Sequence, residues 1–584
     1  MSSTGPRTSN GSSYTVLEEP LGTPQHLRVV MIGGGASGLN VARHMKLQME
    51  NYELQIYEKN EDVGGTWFEN RYPGCACDIP SHNYQYTWEP NPDWSHFYSG
   101  HSEILRYFQG VASKYGLYDS IRLNHKVISA VWDEALKIWK VEVQNVRTSE
   151  VVQDWCHVLL NGCGVLNKWK WPDIPGLHSF AGDLIHSAAW PEGHDLTDKT
   201  VAVLGCGSSG VQIVPTIQSK VKSLTTFIRT PTWITAGFAQ RHAGPGGANF
   251  AFSDEQKARF REHPDEYLHY RKEIEGELNQ RFRFIIADSQ EQAEAREYST
   301  KEMTTKLSDD ERLVNALLPD FAVGCRRPTP GNGYLEALTR ENVRVVTERI
   351  SHVVPEGIVL TTGEVIKIDT FICATGFDLS FTPSFEIVGR QGKTMAEQWK
   401  SKPTAYLSLA VPNFPNYFSE LNRLSPSSSP GTDSSSSPSS VFLGPNSPVG
   451  HGSILPIIEH TTKYVINFLK KIQTQDICSV TPSQAATADY DTHVSTFMQR
   501  TAWATPCRSW FKNGTVDGPI TALHPGSRIH WFHMLGDIRF EDWEFEYRSA
   551  NRFRYLGNGF SIREAAGKDT TRYFQDPEEG YRAY

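Results

Sequence analysis

Two glycine-rich loops with the same spacing constrain the fold of this chain more than any other feature. Both have the pattern G-x-G-x-x-G, and their glycines are Gly33, Gly35 and Gly38 in "GGGASG" and Gly205, Gly207 and Gly210 in "GCGSSG". Each loop follows a short apolar run and precedes a segment with helical spacing. In such βαβ units the missing side chains let backbone N–H groups approach a pyrophosphate. The sequence therefore predicts an α/β protein with two Rossmann-like dinucleotide-binding domains.

The residue that ends the next strand indicates which nucleotide each loop binds. Glu58 closes the strand "YELQIYE" after the first loop, where a carboxylate can accept hydrogen bonds from an unphosphorylated ribose, as in FAD or NAD. The corresponding strand after the second loop ends in Arg229 and Thr230, which suit a 2′-phosphate and favour NADPH over NADH. Arg229 as an ordinary surface residue is the alternative. Two dinucleotide sites in one chain imply electron transfer from nicotinamide to flavin.

Two further strand ends carry a glycine turn. One is "IDTFICATGFD", with Asp369 and the turn Ala374–Thr375–Gly376, and the other is "NGCG" at 161–164. Both resemble the segments by which flavoproteins with two dinucleotide sites approach the flavin. Taken alone, either is also compatible with an ordinary strand that ends in a glycine turn.

Composition and charge exclude several classes of protein. The net charge of −9 gives no electrostatic reason to expect a nucleic acid. Mean hydropathy is −0.43, and no apolar run approaches the roughly 18 residues of a spanning helix. Neither a secretory signal nor a metal-ligand spacing is evident, so we expect a cytoplasmic, globular chain whose nine cysteines are reduced and buried. The sequence does not indicate an oligomeric state.

The order of these features predicts a domain layout. We expect a disordered tail at 1–25, the first part of the FAD-binding domain at 26–195, an NADPH-binding domain at 196–345 with a charged helical insertion at about 250–318, and completion of the FAD domain with a substrate-side segment at 346–584. Residues 419–440 are Ser/Pro-rich and cannot bury a core. They are either a surface loop that splits a strand or translated non-coding sequence from a faulty gene model.

The electron acceptor is the next question. Flavoproteins that reduce disulfides need a redox-active cysteine pair near the flavin, and Cys75 and Cys77 are too closely spaced for one. Molecular oxygen is the alternative acceptor.

Two longer motifs resemble those of one oxygen-using family. "FAGDLIHSAAWP" fits F-x-G-x(3)-H-x(3)-W-P, and "GGTWFENRYPGCACD", from Gly64 to Asp78, fits G-G-x-W-x(4)-Y-P-G-x(3)-D. Both resemble fingerprints of the type I Baeyer–Villiger monooxygenases, and the resemblance covers nearly all of residues 27–560. It implies FAD, NADPH, O2 and a small-molecule ketone that is converted to an ester or lactone. An amine- or sulfur-oxidising flavin monooxygenase and an inactive flavin-binding protein are the alternatives.

The resemblance also implies roles for individual residues. Arg327, in "VGCRRPTP", matches the active-site arginine, which would stabilise an anionic flavin–oxygen adduct and the rearranging substrate, and Asp78 matches the carboxylate that orients it. Arg326 stands where the family has a lysine for the 2′-phosphate. The other implied cofactor contacts are Thr66, Trp67, Phe68, Glu69, Ala76, Cys77, Ile79 and Tyr84 for the flavin and nicotinamide, and Cys206, Ser208, Ser209 and Val211 within the second loop.

Three positions keep a structural alternative. His186 of the first fingerprint lies between the two predicted nucleotide domains, so a hinge role is favoured over proton transfer. A histidine satisfied by backbone hydrogen bonds is the structural alternative for His186, and a core position is the alternative for Trp67. Trp510 could equally belong to the core or border the substrate pocket. The C-terminal segments "WATPCRSWFKNG" and "WEFEYRSANRFRYLGNGF" resemble fungal family members from secondary-metabolite pathways, which suggests a polyketide ketone.

Overall fold

The computed structural model describes residues 14–164, 169–377, 385–419, 444–571 and 574. Apart from Ser419, the Ser-rich segment predicted at 419–440 lies outside the described residues, as does the tail up to residue 13. Within the last part of the predicted tail, the Leu21 N–H donates to the carbonyl oxygen of Phe560 at 2.7 Å, so this part of the tail contacts the C-terminal part of the chain.

Strands and helices alternate through most of the described chain. The strands are β1 Leu27–Ile32, β2 Tyr52–Tyr57, β3 Ile121–Arg122, β4 His125–Asp133, β5 Ile138–Asn145, β6 Val151–Cys156, β7 Val158–Asn161, β8 Asp183–His186, β9 Thr200–Leu204, β10 Ser223–Phe227, β11 Ile234–Thr235, β12 Thr329–Pro330, β13 Val343–Val346, β14 Ile350–Val354, β15 Gly357–Leu360, β16 Val365–Lys367, β17 Thr370–Cys373, β18 Glu386–Val388, β19 Tyr417–Ser419, β20 Ile477–Pro482 and β21 Trp543–Tyr547. The α-helices are α1 Ala36–Gln48, α2 Thr66–Glu69, α3 His101–Lys114, α4 Ser208–Ile217, α5 Asp254–Glu262, α6 Pro264–Gln280, α7 Gln290–Lys306, α8 Glu311–Leu317, α9 Tyr334–Leu338, α10 Met395–Gln398, α11 Leu455–Thr474, α12 Gln484–Met498, α13 Arg528–Gly536 and α14 Ile562–Ala565.

The first glycine loop belongs to a five-stranded parallel sheet with the order β19-β7-β1-β2-β3. Its central strand β1 is buried almost throughout, as expected for a parallel strand covered on both faces. Helix α1 follows the loop and packs against α11, where Asn40 Nδ2 donates to Thr462 Oγ1 at 2.7 Å. The C-terminal part of the chain therefore covers the helix of the first loop.

The second glycine loop belongs to another five-stranded parallel sheet, with the order β13-β10-β9-β17-β8. Strands β8 and β17 lie in this sheet, although the predicted domain layout assigns 183–186 and 370–373 to the FAD domain. The strand at 370–373 is apolar and ends in a glycine turn, so its sequence is compatible with either sheet. Its pairing with β9 assigns it to the second.

Four helices, α5 to α8, make up the charged segment predicted as a helical insertion. Ser253 begins α5 through a capping box with Gln256, and Ser289 and Asp310 cap α7 and α8 in the same side-chain-to-backbone manner. Helix α6 buries Tyr267, Ile274 and Leu278 on one face and leaves its charged face outward.

The cysteine expectation is wrong for two residues. Cys325 and Cys507 form a disulfide, with their Cα atoms 6.4 Å apart and a sequence separation of 182. Such a pair arises from tertiary proximity and leaves no spacing pattern. The bond ties the segment that carries Arg326 and Arg327 to the C-terminal part of the chain. The other seven cysteines form no disulfide among the described residues, and all but Cys478 are buried.

Candidate active site

The first glycine loop has the shape of a pyrophosphate cradle. Gly33 has a φ of +100°, and a Cβ on Gly38 would lie 2.2 Å from the Gly33 carbonyl oxygen. Gly35 begins α1 without a side-chain cap, as is typical of a helix N-terminus that binds an anion. The turn at 161–164 lies beside this loop, since the Gly162 N–H donates to the Ile32 carbonyl oxygen at 2.9 Å. A dinucleotide fits this donor set.

Glu58 is buried just after β2 and spans the loop. Its Oε2 accepts from the Gly34 N–H at 2.7 Å and its Oε1 from the Asn60 N–H at 2.9 Å. Burial raises the pKa of Glu58, and these backbone N–H donors partly offset that effect. The carboxylate is thus fixed at the end of the strand, where a ribose would be expected.

Short helix α2 presents the predicted flavin-side residues. Glu69 accepts from Asn60 Nδ2 at 2.9 Å and forms an ion pair with Lys59 Nζ at 2.7 Å. Burial raises the pKa of Glu69 to about 7 and lowers that of Lys59 to about 8. Phe68 lies under the guanidinium of Arg71, 4.8 Å away. Glu69 therefore anchors the loop after β2, a role that the sequence did not predict.

The second glycine loop repeats the cradle. Gly205 has a φ of +115°, and a Cβ on Gly210 would lie 2.1 Å from the Gly205 carbonyl oxygen. Gly207 begins α4 without a side-chain cap and has no neighbouring atom within 4 Å of a built Cβ, so the loop faces open space. A second dinucleotide fits here. Ser208 is exposed, Ser209 is half-buried, and Val211 is buried against the sheet.

The turn at 374–376 contacts this second loop. A Cβ on Gly205 would lie 2.4 Å from the Ala374 carbonyl oxygen. The second loop is therefore a direct neighbour of this turn, and the approach of the turn to the flavin stays a prediction.

Two arginines gather at the far end of the second loop. Arg326 Nη1 donates to the Pro231 carbonyl oxygen at 3.1 Å, and the exposed Arg229 lies close enough for its charge to act on Arg326. Burial and, secondarily, the Arg229 charge lower the pKa of Arg326. Within the described part of the chain, no carboxylate lies within 4.0 Å of either guanidinium. Cys206 Sγ approaches the Thr230 carbonyl oxygen at 3.3 Å beside them. A bound 2′-phosphate would offset the repulsion between the Arg229 and Arg326 guanidinium groups.

Replacing Arg229 with alanine is expected to reduce kcat/KM for NADPH by about ten- to a hundredfold, the effect of one lost charge-assisted hydrogen bond to phosphate. The value for NADH should change little, because NADH has no 2′-phosphate. Steady-state kinetics with both nucleotides measure the ratio. Arg340→Ala is the matched control, since Arg340 is exposed and precedes β13, at the amino-terminal end of the parallel strands, whereas Arg229 follows β10 at their carboxyl end. Equal losses with both nucleotides would contradict the assignment.

Arg327 and Asp78 form a two-point ion pair. Arg327 Nη2 donates to Asp78 Oδ1 at 3.0 Å, and Nη1 lies 2.9 Å from Oδ2. Burial alone would lower the pKa of Arg327, but the Asp78 carboxylate more than compensates, so the pKa is raised. The Arg327 side chain nevertheless remains 34% exposed, so its free edge faces open space. This permanently charged group is available to a bound molecule.

The residues around Asp78 are largely apolar. Cys77 and Ile79 are buried, and burial raises the pKa of the Cys77 thiol well above its usual range. Trp67 Nε1 donates to the Tyr84 hydroxyl at 3.1 Å, and the two rings meet edge to face. Trp67 is thus buried in the core and also lies beside the predicted site.

A contact that the sequence did not predict joins the two loops. Gln212 on α4 donates from Nε2 to the Ala76 carbonyl oxygen at 2.9 Å and accepts from the Tyr72 hydroxyl at 2.9 Å. Gly74, with a φ of +80°, lies directly on α4, where a Cβ would be 2.6 Å from the Gln212 carbonyl oxygen. The Tyr-Pro-Gly part of the second fingerprint is therefore a close contact between the segment that carries Asp78 and the helix of the second loop.

The first fingerprint lies along β8, at the edge of the second sheet. Gly182 has no room for a side chain, since a Cβ would lie 2.3 Å from the Asp369 carbonyl oxygen. His186 Nδ1 accepts from the Ala188 N–H, and Nε2 lies 3.2 Å from Thr375 Oγ1. Its ring stacks on Trp169 with centroids 4.3 Å apart. The fingerprint fastens the strand to the 374–376 turn, and His186 makes no described contact with Arg327 or Asp78.

Acidification should test this buried histidine. Burial lowers the pKa of His186 from 6.5 to about 4 in the folded chain. The unfolded chain therefore binds the proton first as pH falls, and the stability contribution of neutral His186, complete above pH 6.5, is lost progressively toward pH 4. Thermal unfolding between pH 7 and 4.5 should show a steeper decline for the wild type than for His186→Gln. Identical slopes would contradict a lowered pKa of His186 in the folded chain, because other titrating groups contribute equally to both proteins.

Several site residues have no local sequence signal. Lys59 contacts Glu69, and Gln212 contacts Tyr72. Glu69 and Tyr72 lie in the second fingerprint, but Lys59 and Gln212 lie outside it and meet it only through the fold. Trp510 is half-buried against the ring of Phe511, 4.5 Å away, so it belongs mainly to the core.

Among the described residues, no three His, Cys, Asp or Glu side chains are placed to hold a metal, and no helix is long and apolar enough to cross a membrane.

Comparison with known proteins gives consistent findings. Residues 31–100 match the model of an NAD(P)-binding Rossmann-like domain. The chain is 39% identical over 542 residues to the FAD-binding monooxygenase tazF of Aspergillus terreus, covering 92% of each chain. It is 31% identical to a Baeyer–Villiger monooxygenase of Streptomyces coelicolor, covering 86% of this chain and 89% of the relative. The structure of cyclohexanone monooxygenase from Rhodococcus sp. Phi1 bound to NADP+ superposes with a TM-score of 0.74 at 25% identity, covering 90% of this chain and all of that chain.

Proposed function

The chain belongs to the FAD-binding monooxygenases of Baeyer–Villiger type, and from this membership we propose that it converts a ketone to an ester or lactone with NADPH and O2. It is an NADPH-dependent flavoprotein monooxygenase with an α/β fold of two Rossmann-like domains. The observation that carries the proposal is the two-point Arg327–Asp78 pair, which lies on a segment held against the helix of the second nucleotide loop.

FAD would lie on the first loop, with Glu58 at its ribose, and NADPH on the second, with Arg229 and Arg326 at its 2′-phosphate. When bound, the two cofactors supply hydride transfer and the activation of O2. The residues of this chain position the nucleotides, exclude water and stabilise negative charge. The helices α1 and α4 begin without side-chain caps, which suits the two pyrophosphates. Arg229 and Arg326 form no described ion pair, which suits the 2′-phosphate.

Arg327 stabilises the negative charge that develops on the substrate oxygen. A guanidinium has five N–H donors, and Asp78 engages two of them, so three remain for the reacting oxygens. The raised pKa of Arg327 keeps the group charged at any pH at which the enzyme is folded. A fixed cation in a site lined by buried side chains stabilises an anion far more than a solvated one would.

Asp78 acts as the orienting carboxylate. Its backbone is held on both sides, because the Cys77 N–H donates to Ser99 and the Ser81 N–H donates to Phe97. The carboxylate therefore fixes the plane of the guanidinium before a substrate binds, which is the preorganisation that such a site needs. Ala76 is held by Gln212, so the same segment also couples to the NADPH side.

The substrate is proposed to be a polyketide ketone of fungal secondary metabolism. This rests on the resemblance of the C-terminal segments to fungal family members and agrees with the fungal relative from Aspergillus terreus.

A panel of ketones and thioethers tests the function. Purified holoenzyme should consume NADPH and give an ester or lactone that has gained one oxygen atom, traced with labelled O2. Sulfoxide formation without any ester would instead support an amine- or sulfur-oxidising monooxygenase. NADPH oxidation without any oxygenated product from the whole panel would contradict the proposal for these substrates.

A further inference from the structure

Arg281 is a second arginine at the candidate site that neither the motifs nor the proposed mechanism uses. It follows α6 directly, at the start of a short 3-10 helix over Arg281–Ile285. Its guanidinium carbon lies 4.4 Å from the ring centroid of Phe238. The guanidinium carbon of Arg327 lies 5.8 Å from the same centroid. Two cations from distant parts of the chain therefore approach one aromatic ring.

The Arg281 side chain makes no hydrogen bond or ion pair with any residue that the structure describes. The charged and titratable groups that act on it are Glu277, one helical turn earlier, Tyr98 and Asp78. The carboxylate oxygens of Glu277 and Asp78 both lie more than 4.0 Å from the Arg281 guanidinium nitrogens, beyond the distance of an ion pair. Both Asp78 oxygens already bind Arg327. The Tyr98 hydroxyl donates to the Phe238 carbonyl oxygen. The donors of Arg281 are thus not engaged.

Arg528 shows how this chain treats a structural arginine in the same region. Its guanidinium is fully buried, forms an ion pair with Glu275 at 2.8 Å, and donates to Asn279 Oδ1 and to the Ser453 carbonyl oxygen. All of its edges are satisfied, as expected for a buried charge. Arg281 follows α6, the helix that carries the Arg528 partners Glu275 and Asn279, but it has no comparable partner of its own. Burial lowers the pKa of Arg281. A partly buried cation with unengaged donors is suited to bind an anion.

We propose that Arg281 binds an anionic oxygen of the substrate, a carboxylate or a phenolate, on an aromatic ketone whose ring packs at Phe238 and whose carbonyl reaches Arg327. The inference rests on the proposed function and specifies its substrate class. Guanidinium groups pair strongly with planar oxyanions and also favour aromatic faces. An acidic aromatic ketone satisfies Arg281, Phe238 and Arg327 together, whereas a neutral aliphatic ketone leaves Arg281 without a partner.

Equilibrium binding to the oxidised holoenzyme with NADP+ tests this inference without turnover. The carboxylate probes are 4-acetylbenzoate and its neutral methyl ester, and the phenolate probes are 4-hydroxyacetophenone and its methyl ether across a pH series. Calorimetry of the wild type should show at least about tenfold tighter binding of the anion in one pair. Tighter binding of 4-acetylbenzoate than of its methyl ester identifies a carboxylate as the ligand of Arg281. Tighter binding of 4-hydroxyacetophenone than of its methyl ether, appearing only at pH values at which the phenol ionises, identifies a phenolate.

Variants assign that preference to Arg281. Arg281→Gln should reduce the anion-to-neutral preference by about tenfold or more and change the affinity for the neutral probe by less than about twofold. Arg281→Lys should retain part of the preference, because it keeps the charge. Arg283→Gln is the matched control: Arg283 is exposed on the same turn, and its substitution should change neither value.

The outcomes separate this inference from the proposed function. The inference is overturned if the wild type shows no anion preference or if Arg281→Gln leaves that preference unchanged. It is also overturned if Arg281→Gln weakens the binding of the anion and of its neutral partner equally. If Arg281→Gln does not retain flavin, the wild-type comparison and Arg281→Lys decide. An anion preference without oxygenation of any ketone would uphold the binding site and refute the proposed reaction.

Discussion

Replacing Arg327 with alanine is expected to abolish ester formation in an enzyme that NADPH still reduces. The substitution removes the cation that faces the reacting oxygens and leaves both nucleotide loops intact. Loss of one preorganised donor typically costs about 10²–10³ in kcat, and Arg327 supplies several donors together with a full charge. We therefore expect a fall of at least about 10³ in the rate of oxygenation.

Single-turnover measurements separate the two half-reactions. Flavin bleaching under anaerobic NADPH should remain within about tenfold of the wild-type rate, while product analysis after oxygen is added should show no ester. Arg327→Lys keeps a charge but cannot reproduce the two-point contact with Asp78, so it should recover only a small part of the activity. An Arg327→Ala variant with normal ester yield would remove this residue from the mechanism.

Gly74→Ala is expected to have the second largest effect, through the contact between the two nucleotide sites. A left-handed φ of +80° disfavours any side chain, and the added Cβ would lie 2.3 Å from Thr216 Oγ1 and 2.6 Å from the Gln212 carbonyl oxygen. Because backbone must move to relieve the second contact, we expect a loss of about 2–4 kcal/mol in the free energy of unfolding. The displaced segment carries Ala76 and Asp78, so flavin reduction by NADPH should slow as well.

Gly276→Ala is the matched control. Gly276 lies in the exposed face of α6, has no atom within 4 Å of a built Cβ, and does not have a positive φ. Alanine there should be neutral or stabilising by up to about 1 kcal/mol. Denaturant unfolding of both variants, with stopped-flow reduction of each, makes the comparison. Equal stability and equal reduction rates in the two would refute the proposed close contact.

The sequence predicted what depends on local spacing. Both glycine loops, their preceding strands and the capped helices of the insertion could be identified because each is formed by neighbouring residues. The Arg327–Asp78 pair could be suggested only through the family resemblance, since 249 residues separate its members. Their contact and geometry come from the structure.

The predictions that failed depend on tertiary proximity. The Cys325–Cys507 bond and the membership of β17 in the second sheet are set by which segments meet in space, and neither changes the local pattern. The contacts of Glu69 with Lys59 and Asn60 also arise from the fold, while its assignment to the flavin stays a prediction. Arg281 carries no motif and gains significance only through its position over Phe238.

The interleaving of the two sheets has a consequence for how the chain is made. Strands β1, β2, β3 and β7 precede every strand of the second sheet in the sequence, while β19, which pairs with β7, follows all of them. A ribosome therefore releases the complete second sheet while the first still lacks its outermost strand and the covering helix α11. During synthesis, the earliest-translated nucleotide fold is the last to close, and its exposed edge must be protected in the meantime.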